Sequence, residues 1–168
     1  MRSEAKSFAD AKQRQNRPNW LRALRTYVGF AAAGNLTWEV IQLPLYTIWT
    51  TGTPREQAFA ILHCTGGDVL IAIAALTMAL VAVGDKHWPD EGSVHVLLLA
   101  LALGAGYTIF SEWLNVIVRK SWAYSPLMPI VPLLNVGLSP LLQWIVVPVF
   151  SLLAAKRAGS GVWCIWNS

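Results

Sequence analysis

Asn35, Glu39, Gln42 and Tyr46 stand at i, i+4, i+7 and i+11 in an apolar stretch. That interval places helical side chains on one face. Thr108, Glu112, Asn115 and Arg119 repeat the spacing, and a tryptophan follows 14 residues after the first member of each set, at Trp49 and Trp122. A carboxylate flanked by amides in oily surroundings can move a proton, bind a cation or hydrogen-bond a polar ligand. The shared pattern reads as a weak internal repeat of two hairpins, a device of membrane transporters.

A third acid lies in "HCTGGD", where Asp68 follows His63 by five residues, about 140° around a regular helix. The two therefore occupy different faces. Gly66 and Gly67 permit close backbone approach, and Ala72, Ala75 and Ala79 continue below Asp68 as a small-residue seam. Such a seam packs against another helix, so Asp68 is expected to face protein rather than lipid. Gln143 comes four residues after Ser139 and enters the fourth apolar segment near its start.

These residues suggest a single polar cluster. Glu39, Asp68 and Glu112 are the candidate acids and bases, with His63 a second base. Asn35, Gln42, Asn115, Arg119 and Gln143 are candidate ligand-binding groups. Glu39, His63, Asp68 and Glu112 could instead hold a divalent metal such as zinc, manganese or ferrous iron, although no i, i+4 histidine pair is present. Each has a structural alternative: Glu39 with Gln42 as an interhelical hydrogen-bond pair, Glu112 with Arg119 as a snorkelling pair two turns apart, His63 as an interfacial group. The amides also serve commonly as glue between membrane helices.

The elements that must position this cluster are apolar. Of 168 residues, 55% are hydrophobic and 13% charged, against roughly 25% charged in soluble domains. Mean hydropathy is +0.45. Between Ile61 and Val83 the ionisable groups are His63, Cys64 and Asp68, and between Val94 and Phe110 His95 is the one residue of charged type. Runs of about 20 apolar residues cross a bilayer core. The expected architecture is an all-α, polytopic four-transmembrane-helix bundle. Its spans are near 27–49, 61–83, 94–118 and 133 or 140 to 155, between a basic segment 1–26 and a C-terminal tail 157–168. Ser139 and Pro140 mark an N-cap and first turn. Pro44 and Pro148 are expected to kink their helices.

Ten of the 13 Lys and Arg residues fall on one side of these spans, including Arg2, Lys6, Lys12, Arg14, Arg17, Arg22 and Arg25, and only Arg55, Arg119 and Lys120 fall on the other. Positive charge collects on the cytoplasmic side, so both termini are expected in the cytoplasm and the cluster in the outer half of the cytoplasmic membrane. The formal charge of +4 is then a result of topology and needs no nucleic-acid partner. The polar, basic start does not resemble a cleavable signal peptide. Cys64 and Cys164 are expected on opposite sides of the membrane and imply no disulfide. Trp20 and Trp88 flank the inner face and Trp49 and Trp122 the outer one, as an aromatic belt.

Between the last two spans, Pro126, Pro129 and Pro132 recur every third residue in an apolar segment. Prolines so placed favour extended backbone, and the segment is expected to cap the cluster as a lid or to form a tight connection. There is no phosphate-binding loop, dinucleotide fingerprint, HExxH or GxSxG motif, so no nucleotide cofactor is expected. Three function classes fit these residues: an acid/base enzyme or binding site for a membrane lipid or isoprenoid-type ligand; a metal-ion or proton site; and an accessory subunit whose stripes grip a membrane protein partner or a second copy.

Overall fold

The computed structural model describes residues 19–160. The basic N-terminal run and the tail bearing Cys164 lie outside the described residues. Helix α1, Trp20–Gln42, starts where the Asn19 side chain accepts the backbone N–H of Arg22 at 3.0 Å, an N-cap eight residues ahead of the expected span. It stops at Pro44. The expectation of a kinked helix running to Trp49 is corrected here: α1 gives way to a 3-10 turn, Leu43–Leu45, an extended Tyr46 and a short helix α2, Ile48–Thr51. Proline lacks the N–H that would continue the ladder and clashes with the preceding turn.

Helix α3, Pro54–Val83, is 30 residues long and begins before the expected Ile61. Thr53 and Glu56 form a reciprocal capping box around Pro54 at N1, which satisfies two orphan N–H groups and fixes the start. Helix α4, Ser93–Glu112, continues as a single π-helical turn, Trp113–Val118. Helix α5, Leu138–Gly159, runs through Pro148. Its N-cap is Gly137, without a side-chain cap, and not Ser139 as expected; the Ser139 hydroxyl is engaged elsewhere. Three of these helical segments, Pro54–Val83, Ser93–Val118 and Leu138–Gly159, are long and apolar enough to cross a membrane. Large apolar side chains such as Ile41, Leu70, Val81, Leu98 and Phe150 remain exposed around the helices. A soluble monomer rarely tolerates so much exposed apolar surface, which a bilayer would cover.

Neighbouring helices pack as a ring, α1 against α3, α3 against α4, α4 against α5 and α5 against α1, with α1 and α5 sharing the most extensive contact. The half of the bundle nearer Asn19 and Gly159 is apolar and small-sided. Ala23, Tyr27 and Ala31 of α1 meet Ala72, Leu76 and Ala79 of α3, Val96 and Ala100 of α4, and Trp144, Leu152 and Ala155 of α5. Gly104 allows Trp144 to lie flat on α4, since a Cβ there would sit 2.2 Å from the indole ring. The base is closed by a backbone bond from Asn19 N–H to the Gly159 carbonyl at 3.1 Å and by Trp88, which is fully buried with Trp20 edge-on at 5.3 Å. Trp88 is therefore a packing residue rather than part of a belt, because its ring fills the space beneath the bundle.

The proline-rich segment is not simply extended. Ile130–Val131 (β1) and Val136–Gly137 (β2) pair antiparallel, Ile130 opposite Gly137 and Val131 opposite Val136. Asn135 occupies the left-handed region at φ 52° in the tight reversal, a conformation that asparagine tolerates well. The hairpin base is stitched to the broken end of α1: Ser125 N–H bonds the Leu45 carbonyl at 2.9 Å, Thr47 N–H bonds the Ala123 carbonyl at 2.9 Å, and Tyr46 pairs with Tyr124 as a β-bridge.

Candidate functional site

The polar residues of α1 and α5 interlock above the apolar core. Gln143, 2% exposed, is the hub. Its amide nitrogen donates to Asp68 Oδ2 at 2.8 Å and Asn35 Oδ1 at 2.9 Å, with Glu39 Oε1 at 3.3 Å. Gln42 donates to Glu39 Oε1 at 2.7 Å and contacts Gln143 Oε1 at 3.3 Å. The Ser139 hydroxyl donates to Gln42 Oε1 at 2.9 Å and accepts the Trp38 indole N–H at 3.1 Å. Polarity thus runs in one direction, from indole to hydroxyl to amide to carboxylate, and every amide in the chain is oriented by the one before it. The Glu39 and Asp68 carboxyls are thus brought to the same Gln143 amide nitrogen.

Glu112 enters the same space from α4 and has a different set of neighbours. The Tyr124 hydroxyl donates to its Oε2 and in turn accepts the Gly137 N–H at 2.9 Å. Burial, and then the Glu112 bond, raises the Tyr124 hydroxyl above the ordinary phenol range, so it remains a donor at neutral pH. The Tyr46 side chain also lies against Glu112. The Trp122 indole N–H sits beside Glu112 but is buried with no hydrogen-bond partner of proper geometry.

Glu39, Asp68 and Glu112 all line one partly open cleft of about 1130 Å³. Gln42, His63, Asn115, Arg119 and Gln143 line it as well, and Asn35 lies one turn below, bonded to Gln143. The sequence-predicted residues therefore come together. Their spacing does not explain all of it. Tyr46 arrives because α1 has ended, not because it lies eleven residues along a stripe. Asn115 lies in the π turn, half-buried, and donates back to the Ser111 carbonyl at 2.9 Å. Arg119 is exposed and forms no ion pair with Glu112, as the snorkelling alternative would need; the ion pairs among the described residues all belong to His87. His63 is exposed at the wall, stacked on Phe59 at 5.4 Å. Cys64, half-buried and free, lines the cleft too.

Among the described residues, the one group of three acidic or histidine side chains with ligand atoms within 4.8 Å of one another is Asp85, His87 and Glu91, in the loop between α3 and α4. The cleft residues named as possible metal ligands are more widely spread than that. Sequence reasoning missed Tyr124, which bonds Glu112, and Trp122 and Ser111, which line the cleft. The first two sit in or beside the proline-rich segment, where nothing in the local pattern signals a contact with a helix. Comparison with protein-family models, with curated proteins and with solved structures finds no match to this chain.

Proposed function

We propose that this chain is a four-span protein of the cytoplasmic membrane with both ends in the cytoplasm, and that its cleft opens outward to receive a lipid or isoprenoid-type ligand. Helix α1 is the fourth span. At 23 residues it measures roughly 35 Å, enough for a core of about 30 Å, and its polar side chains are those that turn into the cluster. Counting from the inner helix ends, Glu39, Asp68, Glu112 and Gln143 lie roughly 23 to 29 Å along their helices at 1.5 Å per residue. That depth is the outer third of a bilayer. Within the cleft, Glu39 and Asp68 serve as a proton-donating and proton-accepting pair, with Glu112 the third acid and His63 a second base. Paired carboxyls of unlike surroundings suit that division.

The observation that supports this reading best is the company the acids keep. Three carboxyls from three different helices line one cavity, and amides and a phenol hold them rather than lysine or arginine. A purely structural set would be expected to pair with a cation and fill its space, whereas this one borders a cavity at the upper end of ligand-site volumes. Native mass spectrometry with elemental analysis, on detergent-purified wild type beside Glu39→Gln, tests it. A co-purified lipid without metal in the wild type, retained by the variant with loss of turnover, is the expected result. A stoichiometric metal lost in the variant would transfer the cleft to the ion-binding class. An empty cleft, with a variant that only loses stability or a bound subunit, would make the chain an accessory protein.

A further inference from the structure

The mouth of the cleft has the opposite character from its floor. Arg55, the second residue of α3, and Arg119, just beyond the π turn, both line it and both are exposed. Neither is in an ion pair among the described residues. Glu56, the acid nearest Arg55 in sequence, is occupied: its Oε2 accepts the Thr53 N–H and the Thr53 hydroxyl, each at 2.8 Å. The floor is rich in acceptors, while the rim supplies donors that lack one.

Resting on the reading that the cleft takes an amphiphile, we propose that the ligand's head is a phosphate ester, held at the mouth by Arg55 and Arg119 with the ligand's deeper polar group directed to the carboxyls. Guanidinium forks match phosphate oxygens in pairs, which a point charge does not. The depths agree: Arg55 lies thirteen residues before Asp68 and Arg119 seven after Glu112, roughly 20 Å and 10 Å along their helices. That places both guanidiniums outside the hydrocarbon core, at the level of lipid headgroups. A free phosphate compound would present the same chemistry from the aqueous side.

The test is native mass spectrometry of the full chain in detergent with three probes: dioleoyl phosphatidic acid, the matching uncharged diacylglycerol, and inorganic phosphate. The expected result is saturable binding of phosphatidic acid at least tenfold tighter than diacylglycerol, a preference abolished by Arg55→Gln with Arg119→Gln and partly restored by lysine at both positions. Both arginines are exposed, so the double variant should keep its unfolding temperature. Equal binding of the two lipids, unchanged in the variant, overturns the phosphate head while leaving the lipid reading intact. Binding of neither lipid and no phosphate removes both. If inorganic phosphate alone binds, and the double variant loses it, the phosphate site stands and its source is soluble. Failure of millimolar phosphate to displace bound phosphatidic acid assigns it to a lipid.

Discussion

The C-terminal ends of α1 and α4 start from one spacing of polar residues and finish in different ways. On α1, proline halts the helix directly after Gln42, and Glu39 is enclosed in an amide network with α5 and α3. On α4 the helix loosens into a π turn, and Glu112 is held by a phenol delivered from the hairpin. A π bulge rotates the residues beyond it and often marks a functional position. The first carboxyl is therefore fixed by the bundle itself. The second depends on a connecting segment, which is by its nature easier to displace. Identical spacing on two helices yields two environments because the terminations differ.

Removing the donor shared on the α1 side should have the largest effect. Gln143→Leu leaves Asp68, Asn35 and Glu39 each short of a hydrogen bond in a buried setting, and should cost about 3 kcal/mol in reversible unfolding in mixed detergent micelles. Asn115→Leu, on the α4 side, forfeits only bonds to its own preceding turn and should cost less than about 1 kcal/mol. Equal costs would remove the distinction between the two sides.

The two glycines beneath these sites give the next contrast. A Cβ at Gly104 of α4 meets the Trp144 ring at 2.2 Å, whereas one at Gly34 of α1 meets a Val147 methyl at 3.0 Å. Gly104→Ala should destabilise by about 2 kcal/mol through overpacking, and Gly34→Ala should stay within about 1 kcal/mol, read from the same unfolding curves. A smaller effect comes from Tyr124→Phe, which deletes one hydroxyl that bonds both Glu112 and the Gly137 N–H. It should cost about 1 kcal/mol and speed hydrogen exchange at the Gly137 amide with little change at the α1 amides. An unchanged Gly137 rate would mean that the hairpin is held without that hydroxyl.

Much of this is legible in the sequence, and the exceptions have physical causes. Helical phase puts Asn35, Glu39 and Gln42 on one face and Asp68 above the Ala72, Ala75 and Ala79 seam, and all three alanines are buried at an interface. Gln143 and Ser139 share a face through their four-residue spacing and act together on Gln42. Element ends are harder. Thr53-Pro54-Arg55-Glu56 carries a complete capping-box signature, yet the apolar run beyond it draws the expected start to Ile61. Pro44 reads as a kink because membrane helices often absorb proline; here the chain also has to turn back toward α3. Whether a proline bends or ends a helix depends on partners that local sequence does not display. The Tyr124 contact to Glu112 joins a helix to a distant loop, which no periodicity encodes. Pro126, Pro129 and Pro132 suggest extended backbone, while the pairing of Val131 with Val136 depends on the reversal at Asn135.

The proposed outward opening of the cleft between the three acids is the property on which its reading as a ligand site turns. Cys64 lines that cleft and, with Cys164→Ser, is the single thiol of the chain. A membrane-impermeant maleimide added to sealed, right-side-out vesicles measures its accessibility, with total thiol read after denaturation. The predicted result is modification of Cys64 from the outside, slowed by phosphatidic acid in the membrane. Modification only when the reagent is admitted to the interior, or none until the protein is denatured, would contradict it.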